Sequence, residues 1–127
     1  MAAYVIAHEV AHHVQNELSI LPKVDQARRA SSTTEANALT VRLEVMVDCL
    51  SGVWARNVEG LHERGDLEEA LNAARMISDD HLQRQAGRGP NPHIFTYGTS
   101  AQRARWFDVV FDTGNIGRCD TFAAERL

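Results

Sequence analysis

Apolar positions along this chain recur at helical spacing, and no stretch alternates apolar and polar residues as a strand would. The first patterned segment, AYVIAHEVAHHVQNELS, predicts a helix from about Ala2 to Leu18. Ala2 to Ala7 are apolar or aromatic on every side. The helix is expected to stop before SILPKVDQARRA, because the residue preceding Pro22 is steered away from helical backbone. Ser32 and Glu35, spaced as in a capping box, announce a second helix. Its stripe of Ala36, Leu39, Leu43, Met46, Leu50 and Val53 carries it to about Asn57. A third begins with a capping box at Asp66 and Glu69, presents Leu67, Ala70, Leu71, Ala74 and Ile77, and stops at Gly87. GRGPNPHIFTYGTS reads as a loop. A last helix runs from about Ser100 to near Gly114, with Trp106, Phe107, Val110 and Phe111 as its apolar edge. The predicted class is all-α. At 127 residues the chain is a single domain with room for one real core.

Composition removes several classes of function. A formal charge of −4 with no basic cluster argues against a nucleic-acid or anionic-membrane partner. No apolar run has transmembrane length, and the opening residues do not form a secretory signal. Cys49 and Cys119 are far apart and outside any CxxC pair; one disulfide and two buried thiols both remain open. The chain opens directly inside its most apolar helix, with no lead-in or N-cap, so an upstream segment is expected to precede it.

Against that background the polar residues of the first helix need an explanation. His8, Glu9 and His12 spell H-E-x-x-H in a segment with little polar face. Residues four apart share a helical face, so both imidazoles can reach one ion. Glu9, rotated by about 100° from His8, sits beside that ion, where it can accept a proton from water and pass it to a leaving amine. The second helix adds to this. Between Ala38 and Ala55 its formally charged residues are Arg42, Glu44 and Asp48. Lone carboxylates in so apolar a segment are costly. Glu44 and Asp48 share a face: Glu44 suits a third metal ligand, and Asp48 can accept a hydrogen bond from the outer nitrogen of His8. The bland alternative is a structural ion pair between Arg42 and one of these acids.

Together, AYVIAHEVAHHVQ, NALTVRLEVMVDCLSGVWA, GDLEEALNAA and GTSAQRARWF…CDTF make the chain resemble the bacterial putative neutral zinc metallopeptidase family, of the gluzincin type, in order and over nearly all of its length. The resemblance implies zinc held by His8, His12 and Glu44, Glu9 as catalytic base, and the E-x-x-x-D pattern on Glu44 and Asp48. It also implies a zincin-like core of an active-site helix and a glutamate helix, acting on a peptide or protein substrate. Ala11 stands where relatives usually have Gly, and Tyr97 stands where a His is expected. Either side chain at 97 could donate to a developing oxyanion; an ordinary loop tyrosine is the alternative, and nearby His93 is equally open. Relatives carry an upstream region with a membrane anchor, an extracytoplasmic catalytic domain and a strand that pairs with substrate. The sequence opens at the H-E-x-x-H helix, so by this resemblance it is expected to be the C-terminal part of the family's catalytic domain, or a shortened relative. Both cysteines fall within the resemblance, which raises a Cys49–Cys119 disulfide joining the tail to the second helix as a hypothesis. His13, His62 and His81 have no ligand-like neighbours in sequence and default to the surface.

The leading expectation is a zinc metalloendopeptidase. A non-catalytic, zinc-stabilised helical module is the second reading, and a metal-free helix bundle the third.

Overall fold

The computed structural model describes residues 2–57, 72, 76, 78–87, 89 and 96–127. These residues form helices α1 (Ala2–Glu17), α2 (Ile20–Arg29), α3 (Thr33–Asn57), α4 (Asp79–Gln85) and α5 (Ser100–Thr113), then a 3-10 turn (Ile116–Cys119). No strand occurs among the described residues, and the class is all-α as the periodicity predicts. None of the described helices is long and apolar enough to cross a membrane.

One element overturns the sequence reading. The segment after Leu18 is not a connector: α2 runs straight through Pro22. Proline in a first turn removes an N–H that has no intrahelical acceptor anyway, so the steric preference of the preceding residue is the sole cost. Burial outweighs it. Val24 is in the core, and Ile20, Val24 and Ala27 face Leu39 of α3 and Phe122 of the tail across a shared apolar cleft. The turn itself is made by Ser19, at φ 62°, between the last bonds of α1 and the first turn of α2.

α3 is the spine. Its start is the capping box read from sequence: Ser32 Oγ accepts from the Glu35 amide at 3.2 Å, and Glu35 returns a carboxylate oxygen to the Ser32 amide at 2.9 Å. Its middle is buried all round, with Leu43 through Cys49 each in the interior, as expected of a helix that contacts α1, α2, α5 and the 3-10 turn together. Val41, Val45 and Cys49 meet Trp106 of α5 and Cys119 to form the core. α5 crosses so closely that a Cβ on Gly52 would lie 2.5 Å from the carbonyl oxygen of Phe107. The inner edge expected of α5 holds at Trp106 and Phe107, both buried.

The tail is tied back to α3. Cys49 and Cys119 are joined by a disulfide. The Arg42 guanidinium donates to the carbonyls of Thr121 and Ala124, Thr121 Oγ1 donates to the Arg42 carbonyl at 2.6 Å, and Trp106 Nε1 donates to the Leu127 carbonyl at 3.2 Å. Arg42 therefore serves the tail and not an ion pair with Glu44 or Asp48. The disulfide closes a loop of sequence separation 70. In a chain-entropy treatment its reduction should cost about 4 kcal/mol. Urea titrations with and without reductant test this, and coincident midpoints would refute it.

Of the third predicted helix the described residues include Asn72 and Met76, both helical, and its end, as α4, with Gly87 beyond it at φ 75°. The expected capping box at Asp66 and Glu69, its apolar stripe, His62 and His93 lie outside them.

Candidate metal centre

α1 rests on α3 through small side chains. Ala7 and Ala11 are both buried, and their methyl groups allow the close approach that brings His8 and His12 over the middle of α3. The alanine at position 11 is thus accommodated at the contact. Spaced one turn apart, the two imidazoles stand edge to face, centroids 4.7 Å apart and planes at 78°. Their Nε2 atoms are 3.1 Å apart. Glu44 lies opposite, with Oε2 at 3.4 Å from His8 Nε2 and Oε1 at 3.4 Å from His12 Nε2. Among the described residues this trio is the group of His, Cys, Asp and Glu side chains able to hold a metal ion.

The distances permit a direct test of fit. Zinc–nitrogen and zinc–oxygen bonds of about 2.0–2.2 Å at tetrahedral angles set donor atoms about 3.3–3.5 Å apart. The Nε2 atoms lie 3.1 Å apart and each is 3.4 Å from a different Glu44 oxygen, Oε2 for His8 and Oε1 for His12, so each pair comes within a few tenths of an ångström of that spacing; taken as one donor atom per residue, the three lie within 4.8 Å of one another. The protein's own groups explain the cluster poorly. Glu44 Oε2 is buried and accepts no hydrogen bond, a costly state for a carboxylate oxygen. A divalent cation would satisfy it, and the residues present fit one.

The electrostatics of the two rings differ. Burial holds the His8 imidazolium below its usual range, against the pull of Glu44, whereas a hydrogen bond to Glu44 raises His12. One carboxylate faces both rings; desolvation prevails at the first and hydrogen bonding at the second. A proton on His12 and a cation would compete for the same Nε2.

Around the trio lie groups that sequence spacing did not pick out. Gln15, fully buried, accepts from His12 Nδ1 at 3.0 Å through Oε1 and donates from Nε2 to the Leu43 carbonyl at 3.0 Å. Arg103 of α5, also fully buried, grips Asp48 with two bonds, Nε to Oδ2 at 2.7 Å and Nη2 to Oδ1 at 3.0 Å. Asp48 thus has a partner on α5 that the spacing within α3 does not indicate. Both its oxygens are engaged by a guanidinium, because a fully buried carboxylate is best compensated by a charge with matching fork geometry. A signal for each was present. Gln15 follows Ala7 and Ala11 at four-residue spacing on the buried face, and Arg103 lies three and four residues before Trp106 and Phe107.

Glu9 is exposed beside the cluster, and its charge contributes to the raised His12. His13 is exposed. Tyr97, 41% exposed, lies in the segment leading into α5. That segment is anchored on both sides. Gly98, at φ 90°, is pressed on α3, where an added Cβ would come within 3.1 Å of Val45, the neighbour of Glu44. Thr99 and Gln102 form a reciprocal capping box at 3.1 and 2.9 Å that starts α5.

Two packed helices that bring H-E-x-x-H and a downstream glutamate to one point have the arrangement of a zincin-type helical core. The chain belongs to the family described as putative neutral zinc metallopeptidase, whose profile matches residues 1–122. It is 51% identical over 121 residues to the uncharacterized protein YpfJ of Escherichia coli strain K12, covering 94% of this chain and 42% of that protein. It is 36% identical over 136 residues to the uncharacterized protein Mb2605 of Mycobacterium bovis, covering 98% of this chain and 45% of that protein. The chain thus spans less than half the length of these curated relatives. No solved structure matches it.

Proposed function

We propose that this chain carries the metal centre of a zinc-dependent metallopeptidase, with His8, His12 and Glu44 as ligands and Glu9 as general base. The observation that supports the reading is the convergence of two imidazole nitrogens, 3.1 Å apart, on the carboxylate of Glu44, each 3.4 Å from one of its oxygens, with Oε2 buried and unbonded. Zinc, when bound, supplies Lewis acidity that polarises a scissile carbonyl and acidifies water.

The chain's own residues supply the rest. Glu9 follows His8 on α1 and is turned about 100° from it, so its carboxylate is not a ligand but lies beside the ligand face. It takes the proton of the attacking water and delivers it to the departing amine. The exposed Tyr97 hydroxyl is a candidate donor to the carbonyl oxygen as negative charge builds there. Substrates are peptides or proteins, and the acidic balance of the chain disfavours nucleic acid. The disulfide supports a compartment outside the reducing cytoplasm, in keeping with a membrane-anchored, extracytoplasmic enzyme.

The test is elemental analysis of the purified protein beside a Glu44→Ala variant. About one equivalent of zinc in the parent, and its loss in the variant, is expected. A parent free of zinc after equilibration with the ion would overturn the reading.

A further inference from the structure

Gln15 makes an unusual pair of bonds. Its carboxamide lies inside the protein with no exposure and joins the two helices that carry the proposed ligands. The carbonyl of Leu43 can only accept, so the Gln15 atom facing it must be the NH2 group. That leaves Oε1 toward His12, and an amide oxygen can only accept as well. The hydrogen on His12 Nδ1 is therefore fixed by a bond formed on a different helix. Whether the ring is neutral or cationic, Nδ1 carries a hydrogen, and in the neutral ring Nε2 is left with its lone pair facing Glu44. Leu43 immediately precedes Glu44, so the same amide also sets the axial position of α3 relative to the imidazole.

We propose that Gln15 is a positioning residue for the metal centre, imposing the Nδ1–H tautomer on His12 and locking its ring in register with Glu44. The proposal rests on the zinc reading above. A partner of this kind, bonded to the outer nitrogen of a ligand histidine, commonly contributes about 10–100-fold to metal affinity. Burial alone does not account for the choice of residue. A leucine of similar size would fill the site and spare the cost of an interior amide.

The experiment compares the parent, Gln15→Leu and Gln15→Glu as full chains. Leucine removes both bonds; glutamate keeps an acceptor for Nδ1–H. Zinc alone is titrated against a chromophoric chelator, and the histidine tautomers of the metal-free proteins are read by long-range nitrogen–proton correlation on 15N-histidine-labelled samples. Gln15→Leu should bind zinc about 10–100-fold more weakly and let His12 drift toward the Nε2–H form. Gln15→Glu should retain Nδ1–H and recover most of the affinity. Parental affinity in a folded Gln15→Leu, or a neutral His12 in the parent with its hydrogen on Nε2, overturns the proposal. Equal losses in both variants also overturn it, because they signal packing and not a hydrogen bond. Should Gln15→Leu fail to fold, the parent and Gln15→Glu tautomers decide. A parent that binds no zinc defeats the functional reading instead, and is told apart from failure at Gln15 by the parent's own titration.

Discussion

Replacing Asp48 by alanine should remove about 3–5 kcal/mol of stability, a large fraction of the roughly 5–15 kcal/mol that holds a domain folded. The size of the effect comes from what stays behind. Arg103 has no solvent exposure and receives its compensation from the two Asp48 oxygens at 2.7 and 3.0 Å. A guanidinium cannot shed its proton at accessible pH, so the variant must keep that charge buried without its carboxylate or open the α3–α5 contact to water. The pair itself is worth far less than its disruption suggests. Desolvating two charges nearly cancels their attraction, so a double replacement, Asp48→Leu with Arg103→Met, should be close to neutral. Chemical denaturation of the three proteins separates the two effects. A parental midpoint for Asp48→Ala would show that the guanidinium has another means of compensation.

The second large effect concerns turnover. Glu9→Gln preserves shape and exposure but removes the carboxylate that accepts a proton, and should lower peptide hydrolysis about 10²–10⁴-fold while zinc content stays at the parental level. The split between the two readouts is the informative part. His8, His12 and Glu44 converge without Glu9, so the ligand set survives its neutralisation. Cleavage of unfolded casein at high enzyme concentration, measured beside zinc stoichiometry, checks both. A variant as fast as its parent would remove Glu9 from the mechanism. A parent inert toward casein that nonetheless unfolds on chelation would favour the zinc-stabilised, non-catalytic module.

Much of the site could be read from the chain because its residues are near neighbours on two helices. His8 and His12 declare themselves by four-residue spacing, and Glu44 by being a carboxylate in a segment too apolar to solvate it. The α3 capping box was legible for the same reason, since both of its partners lie in one turn. What escaped was set by distance along the chain. Arg103 meets Asp48 across a sequence separation of 55, and Gln15 meets Leu43 across 28; local periodicity marks Gln15 and Arg103 as facing inward but does not name their partners. α2 is hidden differently: the preference of the residue before proline is weak in the first turn of a helix, and the buried face of Val24 prevails over it.

Gly98 has a consequence for the segment that carries Tyr97. Its backbone, at φ 90°, rests on Val41 and Val45 of α3, where an added Cβ would come within 3.1–3.4 Å of their methyl groups. The stretch that bears Tyr97 is therefore seated on the ligand-bearing helix at this one residue. Any side chain at position 98 would meet both a left-handed backbone and the valine surface of α3, so the register of Tyr97 against that helix hangs on a missing Cβ.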